Sequence, residues 1–260
     1  MTKQTIYFFL LIGHCMAALA QRPAQGPVSD TIFNPLDNGY QLVWEDEFLG
    51  KELDNTKWAI RGAGPRAIAY VSPQAIKVED GFLKLAALKR GDTILISAVG
   101  TQGLYMPKYG FYECRAQLQK STGIWGAFWL QSPKLSEGDD PHLHGAEIDI
   151  MEFFKKLGRD IVSHNVHWGP YGAGQHTSHG MQSYLKGVRQ GFHSFGLEWT
   201  PEKYIFYVDG LKFYELSMGV SQIEEYIILS MEIPNNLKEI KKTIFPDEFI
   251  VDYVRVYQKK

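Results

Sequence analysis

The sequence predicts an all-β domain, a β-jelly-roll sandwich of two antiparallel sheets with one sheet curved into a concave cleft. Three observations lead there. Short apolar or alternating runs recur along the chain, separated by Gly, Pro and Asp-Gly turn signals. No segment with helical periodicity longer than about ten residues stands out. The 260 residues, 45% of them hydrophobic, suffice for one large domain with a sizeable core.

The expected elements follow in chain order. Residues 1–20 combine Lys3, the apolar run Ile6–Ile12 and the Ala18-x-Ala20 end, the pattern of a secretory signal cut before Gln21. The run is shorter than the roughly 20 residues of a membrane span. The expected location is therefore secreted, periplasmic or cell-surface, with lipid anchoring through Cys15 the less favoured alternative because His14 stands where a small residue is expected. Without Cys15 the only cysteine is Cys114, read as a buried strand residue, and no internal disulfide is possible. Residues 21–39, rich in Pro, Gly and Asn, read as a linker or an extended lead-in, and 40–260 as the domain proper.

Ala75–Leu85 reads as strand, Asp80-Gly81 turn, strand, and Tyr204–Tyr214 as a second hairpin around Asp209-Gly210. Ile94–Val99, Tyr109–Ala116, Tyr226–Ile233 and Phe249–Tyr257 are further strands. Trp125 and Trp129 stand four apart, hence on one strand face, where two indoles could floor a sugar-binding surface or simply pack in a core. Residues 133–145 form a polar loop, and Gly169–Gln182, with four Gly and two His, a long loop over the cleft. The pairs His142/His144, His164/His167 and His176/His179 lack the Cys or helical frame of a zinc site. A net charge of -2 argues against nucleic acid as a partner.

The chemistry concentrates in Glu147-Ile-Asp-Ile-Met-Glu152. Ile148 and Ile150 suit a buried strand, and Glu147 and Asp149 then share the opposite face. Glu152 lies at an odd spacing from Glu147, so one extra residue near Ile150 or Met151, a β-bulge, is needed to return it to the acidic face. A structural alternative is a calcium-binding or salt-bridged edge strand. Three crowded carboxylates are costly in a core but useful in glycosidic bond hydrolysis, which wants one ionised and one protonated carboxyl group.

This hexapeptide resembles the signature of glycoside hydrolase family 16, in the bulged form of its laminarinase-like branch. Leu42–Gly50 with Leu53–Trp58, Tyr109–Ala116, Gly123–Leu130 and Gly191–Thr200 are similar to further stretches of that family, so the resemblance spans roughly residues 40–258. It implies Glu147 as nucleophile, Glu152 as acid/base and Asp149 as the supporting carboxylate. It also implies that Trp125 lies at the sugar ring under attack with Trp129 behind it, and that His167 reaches the leaving-group side. A structural calcium at Asp252, with backbone oxygens at Glu47 and Gly81, is a further implication; no cofactor is required for the chemistry.

The expected activity is retaining, endo-acting hydrolysis of a polysaccharide by a monomer, with β-1,3- or mixed β-1,3/1,4-glucan first. A galactan (agarose, porphyran, carrageenan or a host O-glycan) is the alternative substrate, and a non-catalytic lectin-like module or a transglycosylase the alternative activities. A sulfated substrate would call for a basic cleft, for which Arg61, Arg66, Lys155, Lys156 and Arg159 are the local candidates.

Overall fold

The computed structural model describes residues 24–158, 160–172, 174–235 and 237–260. The segment read as a secretory signal, Cys15 and Arg159 therefore lie outside the described residues. The described strands are β1 (Tyr40–Asp46), β2 (Ala59–Ile60), β3 (Gly64–Arg66), β4 (Ala69–Val71), β5 (Ile76–Glu79), β6 (Phe82–Arg90), β7 (Thr93–Gly100), β8 (Gly110–Gln117), β9 (Trp125–Gln131), β10 (Glu147–Glu152), β11 (Ile161–Trp168), β12 (Thr177–Tyr184), β13 (His193–Trp199), β14 (Tyr204–Val208), β15 (Leu211–Leu216), β16 (Tyr226–Glu232) and β17 (Asp247–Lys259). Among the described residues, helix is confined to single turns such as Pro141–His144 and Leu237–Ile240.

Two antiparallel layers result. One runs β2–β7–β16–β9–β10–β11–β12. The other runs β5–β6–β17–β8–β13–β14–β15, with β1 also paired to β17. The β6–β7 hairpin joins them, so pairing is continuous through all seventeen strands. The expected turns hold. Asp80 (φ 57°) with Gly81 (φ 79°), and Asp209 (φ 51°) with Gly210 (φ 73°), are left-handed pairs, which is the backbone that a two-residue hairpin with right-handed strand twist requires.

The core lies between the layers. Phe128, Leu130, Ile148, Ile150, Ile227 and Leu229 face Leu83, Leu85, Tyr112, Phe195, Leu197 and Val254. Cys114 is buried there as a free thiol. The opposite face of the first layer carries a separate cluster of Trp125, Ala127, Trp129, Tyr226 and Ile228. That second face holds the acidic residues, and is called the site face below.

One expectation changes. The stretch 169–182 is not one loop, because β12 begins at Thr177 and pairs with β11 along its whole length. Its positions opposite His167, Asn165 and Ser163 are Ser178, Gly180 and Gln182, small or polar residues that leave no apolar alternation to read. Of the two readings of the lead-in, its described part favours the extended one: Gln25 bridges Ser183, Ile32 bridges Leu211, and Phe33 stacks on Tyr207.

Candidate active site

β10 contains the extra residue that its sequence requires. Its register against β9 slips between Asp149 and Met151, and against β11 between Asp149 and Glu152. Ile148, Ile150 and Met151 all enter the core, which leaves Glu147, Asp149 and Glu152 to the site face. A bulge disrupts the hydrogen-bond ladder locally. Here His164 meets the Ile150 carbonyl, with Nδ1 2.6 Å from the oxygen, while its Nε2 lies 2.7 Å from the Ser183 hydroxyl. Burial holds this imidazole neutral by moving its pKa down to about 4. A neutral ring can then donate from Nδ1 and accept at Nε2.

The site face is a grid set by strand register. Tyr226, Gln131, Glu147 and His167 occupy one row across β16, β9, β10 and β11. Ile228, Trp129, Asp149 and Asn165 form the next, and Ser230, Ala127, Glu152 and Ser163 the third. Side chains then reach diagonally between rows.

Each glutamate is held by two donors. The Gln131 amide donates to Glu147 Oε2 at 2.6 Å, and the Tyr171 hydroxyl to Oε1 at 2.5 Å. The Trp125 indole N–H donates to Glu152 Oε1 at 3.1 Å, and the Asn165 amide to Oε2 at 3.0 Å. Between them His167 Nε2 lies 3.3 Å from Asp149 Oδ2, both side chains buried. Burial and the neighbouring Asp149 carboxylate push the Glu147 carboxyl up, against the pull of His167, Tyr171 and Arg61. His167 is itself in contact with His176, whose ring stacks on Tyr171 at 4.3 Å.

The two tryptophans share the predicted face, but neither is an open platform. Trp125 is 4% exposed and Trp129 6%. Phe154 packs on Trp125 at 4.9 Å, and the Arg61 guanidinium lies 4.7 Å above Trp129. Trp129 also donates to the Ser230 hydroxyl at 3.1 Å. Arg66 grips Glu232, on the floor beside Trp125, through two bonds of 2.8 and 2.9 Å. Of the other basic candidates, Lys155 reaches the Lys120 carbonyl and Lys156 pairs with Glu239.

Among the described residues, the group of three with ligand atoms within 4.8 Å of one another is Glu147, Asp149 and His167. His142 and His144 lie instead beside Asp140 and Glu137. Asp252 falls in a break of the β17 ladder with β8, between Val251 and Tyr253. On the other edge of β17, pairing passes there from β6, ending at Val251–Leu83, to β1, beginning at Val254–Asp46. Gly81 and Glu47 lie just beyond those two pairs, so the three positions converge on one gap in the sheet. Their oxygens are the hard ligands that calcium takes, although the Asp252 carboxylate is shared with Arg115 and the Glu47 carboxylate bonds Arg255 at 2.7 and 3.0 Å.

Sequence reasoning missed Gln131, Tyr171 and Tyr226 around Glu147, and named Arg61 only as a basic candidate for the cleft. A cavity of about 640 Å³, lined by Lys89, Leu237, Ile240, Lys241 and Phe245 among others, brings none of the predicted site residues together.

Comparison with known proteins gives the family of the chain. A family model described as Glycosyl hydrolases family 16 matches residues 67–247. The chain is 27% identical over 245 residues to a beta-glucanase of Rhodothermus marinus, covering 84% of this chain and 85% of that protein. It is 27% identical over 236 residues to the clotting factor G alpha subunit of Tachypleus tridentatus, covering 84% of this chain but only 34% of that longer protein. The solved laminarinase from Flavobacterium sp. UMI-01 superimposes with a TM-score of 0.71 at 28% identity, covering 84% of this chain and all of that one.

Proposed function

From its membership of glycosyl hydrolase family 16, we propose that this chain is an endo-acting hydrolase of β-1,3- or mixed β-1,3/1,4-glucan that works by double displacement. The observation that carries the reading is the bulged strand with two glutamates on one face, each held by two separate donors.

The polysaccharide lies across the site face. Glu147 attacks the anomeric carbon while Glu152 gives its proton to the departing glycosidic oxygen. A water then enters, Glu152 takes its proton, and the bond from Glu147 to the sugar breaks. This route needs the two carboxyl groups about 5–5.5 Å apart. Asp149, in contact with His167, keeps negative charge beside Glu147 and favours the positive character that develops on the sugar. The residues at Glu47, Gly81 and Asp252 would hold calcium as a tie between β1, the β5–β6 turn and β17, and no step passes through it. Secretion after cleavage at Ala20 and a monomeric state complete the proposal.

A second substrate class is favoured by one feature. Arg61 lies over Trp129, where a neutral glucan would want a bare indole, and a guanidinium there suits an anionic galactan. The deciding experiment incubates residues 21–260, and the Glu147→Gln variant, with laminarin, barley mixed-linkage glucan, agarose, porphyran, carrageenan and mucin O-glycans, with products sized by chromatography. Oligosaccharides from a glucan, absent in the variant, support the main reading. Cutting of a galactan alone replaces the substrate. Binding with no cutting anywhere overturns the enzyme reading in favour of a lectin-like module.

A further inference from the structure

We propose that Gln131 is the positioning residue of the nucleophile: a side-chain amide locked in one orientation by Arg61 and Tyr226 so that its NH2 group must face Glu147. This rests on the reading of Glu147 as nucleophile and adds a residue that the hexapeptide does not contain.

The argument is one of donors and acceptors. Gln131 Oε1 accepts from Arg61 Nη2 at 2.6 Å and from the Tyr226 hydroxyl at 2.6 Å. A guanidinium has donors only and an ionised carboxylate acceptors only. Turning the amide over would set NH2 against guanidinium and carbonyl against carboxylate. Both contacts would be repulsive, so the observed orientation is fixed by chemistry rather than by fit. The backbone prepares the same row, because Gln131 pairs with Tyr226 on one side and Glu147 on the other.

Two consequences follow for Glu147. Its Oε2 lone pair is directed by an amide that cannot rotate, which leaves Oε1, bonded to the Tyr171 hydroxyl, as the oxygen free to attack once Tyr171 gives way to a sugar. The amide also favours the ionised carboxylate over the acid, since it donates only to an acceptor. That offsets part of the burial and of the Asp149 charge, which act the other way. Arg61 contributes twice, by fixing Gln131 and through its own charge near Glu147.

The test is Gln131→Met, which keeps length and removes the donor, beside Tyr226→Phe, which keeps the ring and frees the amide carbonyl from one anchor. Gln131→Met should lower kcat on laminarin by about 10- to 100-fold, the range for a hydrogen bond to a charged group, with KM changed less than about twofold. The acid limb of the kcat/KM profile should move to higher pH, and the carbon-13 resonance of the Glu147 carboxyl should titrate higher by the same amount. Tyr226→Phe should move all three in the same direction by less. A raised KM with an unmoved acid limb would show that Gln131 binds sugar, and overturns the proposal. So would a Glu147 titration identical to that of the wild type. If the wild-type chain cuts no glucan, the glucanase reading falls while the carboxyl titration still decides the role of Gln131.

Discussion

The indole N–H of Trp125 donates to Oε1 of Glu152 across 3.1 Å, from a ring that Phe154 covers. A residue whose spacing suggests a sugar platform is thus engaged edge-on with a carboxylate. Its N–H engages an oxygen that, on the proposed mechanism, would carry a proton to the leaving group, so Trp125 helps fix where Glu152 points.

Trp125→Phe retains the aromatic surface and loses the donor. The rate on a glucan should fall about tenfold or more, the worth of a hydrogen bond to a charged group. The rate on an aryl β-glycoside with an acidic leaving group should fall much less, since that bond breaks with little proton donation. Equal losses on both substrates would refute a role through Glu152.

Gly180→Ala tests the support on the other side of Glu152. A Cβ at this position would lie 1.9 Å from Asn165 Oδ1 and 2.5 Å from the His164 carbonyl. Neither can be avoided without moving Asn165 off Glu152 or displacing β11. Stability should fall by about 1–3 kcal/mol, the range for overpacking, and activity with it. A variant with unchanged melting temperature and unchanged kcat would show that the strand pair yields freely.

Two buried groups shape stability against pH from opposite sides. His164 titrates near 4 in the fold against its usual 6.5, so the unfolded chain binds more protons between those values and stability rises with pH across that window. Glu225 is pushed by burial to about 8 from its usual 4.5, tempered by hydrogen bonds from Ser221 and the Ala146 N–H. There the folded chain holds the proton, so stability falls as pH rises from about 4.5 to about 8. Glu225→Gln should flatten the fall, and chemical denaturation at a series of pH values measures it. A wild-type curve that keeps rising through pH 8 with no difference in the variant contradicts the assignment.

Calcium, if held at Glu47, Gly81 and Asp252, ties strand ends together away from the three carboxylates. Chelation should lower the melting temperature, and added calcium should restore it, with kcat at room temperature unchanged. A melting temperature indifferent to both treatments rules the site out.

The local chemistry of this chain was readable and its long-range chemistry was not. The hexapeptide disclosed its strand, its face and even its bulge, because period-two geometry leaves no other way to put Glu147 and Glu152 together. Asp80-Gly81 and Asp209-Gly210 likewise named their turns. Gln131, Arg61, Tyr171 and Tyr226 carry no such mark, for each becomes meaningful only when distant strands bring it beside Glu147. The tryptophans show the limit between the two. Their common face follows from spacing, whereas their burial depends on Phe154 and Arg61. β12 escaped because its site-side positions must be small, Gly180 above all, to leave space for Asn165.

The extra residue in β10 also separates two quantities that enzyme design tends to vary together. Removing Ile150 or Met151 would leave Glu147 and Glu152 an even number of residues apart, still on one face and still about four pleats apart. Only the local bend and twist of a bulge would be lost. The bulge therefore sets the angle at which the Glu152 carboxyl meets the site face, and a single-residue deletion is a means of changing that angle while the distance along the strand stays fixed.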